Sequence, residues 1–391
     1  MQWGTQMRKR VLFLAQRTES VLSTVPAHGS GAHVAASLAA LQMSFDVVPV
    51  FADDDGEVHP GTPSRLRAFV PGQARGLRQD VLAVRQDKQF TRRALEAARR
   101  LRPDLVYARD EYFALSSIRV ARELGVPLVL EVNGLLAADA KTMYRSPAEL
   151  IGDRIERRKL AAADAIVTVS IGLAERLVAL GAKRNAVTVV PNAVPDARVA
   201  ERPRRAGDSQ VIGWIGHLMS WHADALLMLA DVAPQVLERV PRARFMIAGD
   251  GPRLAEVQGH VRARGVADAF DFVGEVPYCE VPQALREVDF GVIPDVFDYA
   301  FPVKLVELGA AGVAVAAPAS PELDAMLRPG TEYRAFTRHD RPALADAIVT
   351  LALDTRERDR LAAGLHAAVQ ARFTWSAIAA QLEHVVERVL A

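Results

Sequence analysis

Cys279 is the single cysteine among 391 residues. A lone thiol excludes an internal disulfide framework, and with it the small stapled extracellular domain, so a reducing compartment is the expectation. Aromatic residues make up 6% of the chain, and they barely interleave with the Arg-rich stretch from residue 65 to 102. That removes the stacking platforms on which single-stranded nucleic acid is held. Lys and Arg number 48 against 47 acidic residues, a formal charge of +1, which is too balanced for wholesale nucleic-acid binding. Long apolar runs are missing too: none approaches the roughly 18 residues of a membrane span. The basic start at Arg8, Lys9 and Arg10 precedes an apolar run, residues 11–15, too short for a signal-peptide core. These absences describe a protein that is cytoplasmic or sits on the inner face of a membrane.

What is present is an ordinary globular composition, half apolar and 24% charged, long enough for two domains that each bury a core. Short apolar runs recur at residues 11–15, 47–51, 105–107, 127–132, 165–170 and 187–190, and again at 211–215, 244–248, 270–273, 290–293 and 313–317. Helical patterns separate them, among them 33–42, 114–124, 173–180, 223–240 and 254–264. Strands alternating with helices give a parallel sheet with helices on both faces, and here the pattern begins twice. Residues 196–209, with Pro203, Arg204, Arg205 and Gly207, lack periodicity and read as a linker. The expected organisation is domain 1–195, linker 196–209, domain 210–375 and a closing helix over 376–391.

One stretch organises the chemistry. Residues 298–312, Asp-Tyr-Ala-Phe-Pro-Val-Lys-Leu-Val-Glu-Leu-Gly-Ala-Ala-Gly, follow the strand at 290–293 and enter a helix. In a parallel sheet such a loop lies at the carboxyl end of the strands, where ligands bind, and the helix N-terminus offers free N–H groups to an anion. Pro302 suits the first turn of that helix. Lys304 and Glu307, three residues apart, share a face. A phosphate and a sugar hydroxyl would satisfy the pair; a surface ion pair is the bland alternative.

Pro-x-Lys-x-x-Glu followed by Ala-Ala-Gly and an apolar strand resembles the donor-site segment of retaining glycosyltransferases of family 4. Glu156, Asp164, Ser170 and Asn192 match a second family pattern, and Gly249-Asp-Gly-Pro252 and Phe272-Val-Gly274 match further landmarks. The resemblance covers nearly the whole chain and implies an acceptor-binding first domain, a donor-binding second domain and a closing helix that crosses back to the first. It implies a GT-B fold, two Rossmann-like doubly wound parallel-sheet α/β domains facing a central cleft. It also implies transfer of a sugar from a nucleotide-sugar donor, UDP- or GDP-linked, to a glycan, lipid-linked or small-molecule hydroxyl, with retention and without a metal or other cofactor. By the same resemblance Glu307 holds the ribose, Lys304 and the backbone N–H of Val303 the diphosphate, and Val273 the base. Tyr299, where many members carry a Glu, and Asn133, where many carry a His, face the sugar, with Glu131 beside them as a catalytic candidate. Gly29 and Gly31, in a loop after the first strand, and Gly216 approach the donor. His217 and His222 stand where members place an Arg and a Lys, and could supply part of the phosphate charge.

Three further readings complete the sequence. The Asp53-Asp54-Asp55 run, beside Gly56, is a solvated turn rather than a metal-binding pair. The Arg-rich stretch, with Arg75, Arg78, Arg85, Lys88, Arg92, Arg93, Arg99 and Arg100, is either a solvated helical face or a surface for anionic membrane lipid or a phosphorylated acceptor. Two rival functions share the fold: a binding partner without catalysis, and a nucleotide-sugar 2-epimerase.

Overall fold

The computed structural model describes residues 8–16, 29–52, 72–138, 147–199, 210–297, 299 and 301–391. The Asp53–Asp55 run and residues 200–209 of the expected linker lie outside the described residues. The chain forms two compact units, one built from Ser30–Pro191 with β1 and with Ala379–Ala391, the other from Asn192–Ile378.

The first unit holds strands β1 (Arg10–Ala15), β2 (Asp46–Phe51), β3 (Leu105–Arg109), β4 (Leu128–Val132), β5 (Ala165–Thr168) and β6 (Val187–Val189). They form one parallel sheet in the order β2-β1-β3-β4-β5-β6. Val11 to Ala15 are at most 2% exposed, which explains a continuous apolar run where a half-buried strand would alternate. Between the strands run helices α1 (Gly29–Ser44), α2 (Gly72–Leu101), α3 (Ser116–Leu124), α4 (Glu149–Ala162) and α5 (Ile171–Ala179). Ser170 caps α5, its side chain accepting from the Leu173 N–H. The first helix begins at Gly29. Gly29 and Gly31 therefore sit in its first turn and not in a preceding loop, because two glycines beside Ala and Ser do not prevent a helix.

The second unit holds β7 (Gln210–Ile215), β8 (Ala243–Ala248), β9 (Phe270–Gly274), β10 (Phe290–Val292), β11 (Ala314–Pro318) and β12 (Arg334–Phe336), all parallel, in the order β12-β11-β10-β7-β8-β9. Its longer helices are α6 (Ser220–Arg239), α7 (Leu254–Ala263), α8 (Val303–Ala310), α9 (Pro321–Met326), α10 (Arg341–Leu353) and α11 (Thr355–Arg372), and α12 (Trp375–Leu390) starts in it, its residues from Ala379 belonging to the first unit. Two apolar clusters, one on each face, bury the sheet. Ile212, Trp214, Phe245, Ile247, Phe290 and Val292 belong to one, Met246, Ile293, Val315 and Ala317 to the other. Both sheets are doubly wound, and the strand order of the second reverses between β7 and β10. That junction is where this architecture opens a crevice for a ligand.

The border between the units falls before Asn192, slightly earlier than the expected residue 195. The Asn192 amide donates to the Phe301 carbonyl at 2.8 Å, and Val194 exchanges backbone hydrogen bonds with Phe373 and Trp375. The first residues of the expected linker are likewise built in: Asp196–Arg198 is a 3-10 turn whose Asp196 accepts from the backbone and side chain of Ser376. Thr374 caps α12 by accepting from the Ala377 N–H at 3.3 Å. No described helix is long and apolar enough to cross a membrane.

Candidate active site

In the second unit the crevice is shaped by glycines. Gly216 ends β7 at φ +154°, and a Cβ there would lie 3.1 Å from both the Lys304 Nζ and the Trp214 ring. Gly249 ends β8 at φ +143°, where a Cβ would fall 1.8 Å from the Gly216 carbonyl oxygen. At Gly249 a side chain would require the backbone to move, and at Gly216 it would strain the positive φ and press on the Lys304 and Trp214 side chains. The Gly249–Gly251 segment is thus a buttress for the loop after β7, and the Leu218 N–H donates to the Asp250 carbonyl at 2.8 Å.

On the other side of the junction, β10 leads through Asp295 and Phe297 to α8. Asp295 is pinned by Arg338 at 2.6 Å. Pro302 is the N-cap of α8, in an extended conformation (φ −74°, ψ 125°), one place before the first turn expected for it. The turn begins at Val303; the Leu305 N–H donates to the Pro302 carbonyl at 3.1 Å, and those of Val303 and Lys304 precede the first intrahelical bonds.

Lys304 and Glu307 follow. The Lys304 ammonium lies 4.3 Å from the centre of the Trp214 ring, and burial pushes its pKa down to about 7 against the opposing pull of Glu307. Glu307 is 8% exposed, and burial raises its carboxyl to about 7 despite Arg198, Tyr278 and Lys304. Arg198 approaches Glu307 at 3.5 Å, and the Tyr278 hydroxyl hydrogen-bonds its carboxylate. A surface ion pair is not what this is.

A row of rings flanks Lys304. Tyr299 stacks on Phe297 at 5.4 Å, Phe297 meets Trp221 at 4.3 Å, and Trp221 meets His222 at 3.5 Å. His222 Nδ1 bonds the His217 carbonyl at 2.7 Å, and burial with Lys304 nearby depresses its pKa to about 2. Without a bound anion His222 is therefore neutral. His217 itself is exposed, and Val273 is 49% exposed on the edge strand β9.

In the first unit Asn133 follows β4. Its amide donates to Glu131 Oε1 at 2.9 Å, and the Tyr107 hydroxyl donates to Glu131 Oε2 at 2.7 Å. Glu131 is 1% exposed with both oxygens engaged, an arrangement that orients Asn133. The Asn133 Oδ1 is buried and accepts no hydrogen bond among the described residues. Below it lies a buried ionic cluster: Lys159 pairs with Asp110 and donates to the Glu111 carbonyl at 2.8 Å, while burial and Asp110 raise the Glu156 carboxyl to about 7.

The structure thus gathers Gly216, Lys304 and Glu307, far apart in sequence, around one strand junction. Sequence reasoning missed Arg198, Tyr278, Trp214 and Trp221 as members. Arg198 had no periodic context, and the ring row becomes visible only when the β7 and β10 loops are adjacent.

Two family models match the chain: Glycosyltransferase Family 4 over residues 27–198 and Glycosyl transferases group 1 over residues 209–354. A 2-deoxystreptamine glucosyltransferase of Streptomyces kanamyceticus is 32% identical over 276 residues, 65% of this chain and 67% of that protein. The chain belongs to glycosyltransferase family 4. A phosphatidyl-myo-inositol mannosyltransferase of Mycobacterium leprae is 29% identical over 202 residues, 51% of this chain and 53% of the relative. These alignments span about half to two thirds of the relatives' own lengths. Among solved structures, sucrose-phosphate synthase from Thermosynechococcus elongatus matches with a TM-score of 0.74 at 17% identity, covering 98% of this chain and 99% of that one. Anabaena HepE in complex with UDP-glucose matches with a TM-score of 0.70 at 16% identity, covering 97% and 99%. Identities this low speak for the fold alone, and the fold of this family 4 member is GT-B.

Proposed function

We propose that the protein transfers a sugar from a nucleotide-sugar donor to an acceptor hydroxyl, with retention at the anomeric carbon and without a metal. The observation that carries this reading is the convergence of Lys304, Glu307 and the Gly216 loop on the strand junction of the second unit. Lys304 and the open N–H groups at the start of α8 take the diphosphate, whose negative charge grows as the sugar–phosphate bond breaks. Glu307 takes the ribose hydroxyls. With one cation close by, bound phosphate raises the Lys304 pKa and restores its charge, so the ion pair that burial weakens is completed by the donor.

In the second unit Tyr299 offers a ring face to the sugar; in the first, Asn133, whose Oδ1 accepts no hydrogen bond among the described residues, is assigned to a hydroxyl by the family resemblance. Neither is a general base. In a front-face displacement the acceptor oxygen bonds to the anomeric carbon as the carbon–phosphate oxygen bond breaks on the same side. The leaving phosphate oxygen then receives the acceptor proton. The relatives are named for phosphatidyl-myo-inositol, a phospholipid with a cyclitol headgroup, and 2-deoxystreptamine, an aminocyclitol, so a cyclitol hydroxyl is the acceptor class we favour.

We also assign α2 as a peripheral membrane contact of this enzyme. Its first half exposes Leu77, Val81, Leu82 and Val84 and lines a shallow groove with Leu77, Arg78, Val81, Leu82 and Arg85. Apolar side chains framed by Arg suit an anionic interface.

The test is a thermal-shift screen of UDP, GDP, ADP and dTDP with their sugars on wild type and Glu307→Ala, followed by transfer assays to inositol and 2-deoxystreptamine acceptors. One nucleotide should raise the wild-type melting temperature by mass action and leave Glu307→Ala unmoved. Transfer should survive chelation by EDTA. Stabilisation without turnover on any acceptor would favour a binding partner, and donor isomerisation without acceptor an epimerase.

A further inference from the structure

Arg198 stands in a stretch without motif or periodicity, yet its side chain is only 14% exposed. The guanidinium lies 3.6 Å from the centre of the Tyr278 ring, and one nitrogen donates to the Tyr278 carbonyl at 2.6 Å. Another reaches Glu307 Oε1 at 3.5 Å, the long end of a hydrogen bond, which leaves that oxygen able to accept a second, closer donor. Tyr278, 8% exposed, gives its hydroxyl to the same carboxylate. A stacked, forked cation is held in one orientation, which a lysine in the same place would not be.

Glu307 needs such support. To accept from both hydroxyls of a ribose it must be ionised, since a protonated carboxyl loses acceptor capacity and gains a donor. Buried alone, it would stay neutral. The charged and titratable groups that face it are Arg198, Tyr278 and Lys304. Lys304 is committed to the phosphate side, so the support on the ribose side comes from the other two.

We propose that Arg198, seated on Tyr278, is the positioning residue that keeps the Glu307 carboxylate charged and aimed at the ribose diol, and thereby makes the enzyme select ribonucleotide over 2′-deoxyribonucleotide donors. This rests on the reading that Glu307 holds ribose. A staple that merely anchors the 196–198 turn would look similar at rest but would not alter nucleotide choice.

Take the nucleoside diphosphate that stabilises wild type and measure its dissociation constant beside that of its 2′-deoxy form, at pH 6, 7 and 8, for wild type, Arg198→Ala, Arg198→Lys, Tyr278→Phe and Glu307→Gln. The ratio of the two constants cancels Lys304 ionisation, which affects both ligands alike. Wild type should prefer the ribonucleotide by about tenfold or more at pH 8, the scale of a hydrogen bond to a charged group. Arg198→Ala should bring the ratio near one at pH 7, with partial recovery at pH 8 as Glu307 ionises. Arg198→Lys should fall between, and Tyr278→Phe should lower the ratio less. Circular-dichroism melting confirms that each variant folds. If Arg198→Ala folds and keeps the wild-type ratio across pH, the positioning role is overturned while ribose binding by Glu307 stands. If wild type itself does not discriminate, or Glu307→Gln discriminates as wild type does, the ribose reading fails and takes this proposal with it.

Discussion

Lys159 is 2% exposed, as buried as a core leucine, and its partner Asp110 is 4% exposed. Such a pair contributes little net stability over an apolar pair of the same shape, but removing one partner strands a charge. Lys159→Met should therefore destabilise the first unit by ~3–5 kcal/mol, and Lys159→Met with Asp110→Leu should recover much of the loss. Urea denaturation followed by tryptophan-independent circular dichroism measures both. Residues of this kind were partly legible. Glu307 and Lys304 announced themselves by spacing on a helix that begins at a strand end. Lys159 did not, because a lysine among Arg157 and Arg158 looks like a solvated face until a tertiary partner is known. The engagement of Glu131 with Tyr107 was illegible for the same reason, since it depends on the neighbouring strand.

At the scale of elements, α2 runs partly inside out. It buries Asp80 and Asp87, which accept from Tyr112 and from the Leu115 and Ser116 N–H groups, while Leu77 and Val81 face outward. Asp87 thereby caps the start of α3, which explains why an acid lies inside. The apolar outer face has no such internal reason, and an interface supplies one. Arg93 and Arg99 are used locally, bonding the Ala52 carbonyl and Glu123, so the proposed membrane contact rests on the earlier turns. Leu77→Ser with Val81→Ser, and separately Arg78→Glu with Arg85→Glu, should each reduce sedimentation with phosphatidylglycerol-containing liposomes several-fold without lowering the melting temperature; unchanged sedimentation would reject the contact. Strand positions were read from the sequence to within a residue or two, since strands buried on both faces are nearly pure apolar runs. The short β12 escaped, Arg-Ala-Phe being too brief to show a period, and so did the first-turn placement of Gly29 and Gly31.

At the scale of the whole molecule, the first unit draws in Ala379–Ala391, with Leu382, Val385 and Val386 at most 1% exposed and Arg388 donating to Thr188 at 3.3 Å. The closing helix was expected from its cap and amphipathic period, but only the family resemblance, not the period, suggested which unit receives it. Deleting 379–391 should lower the melting transition of the first unit, or render the protein aggregation-prone, while leaving nucleotide-induced stabilisation of the second unit in place; differential scanning calorimetry with and without nucleotide reads both. The same feature orders events during synthesis. The second unit holds all of its residues once position 378 has left the ribosome, whereas the first, translated earlier, must wait for residues made after it. The half that is born first is finished last, and until then its unfilled apolar seam is the surface a chaperone would find.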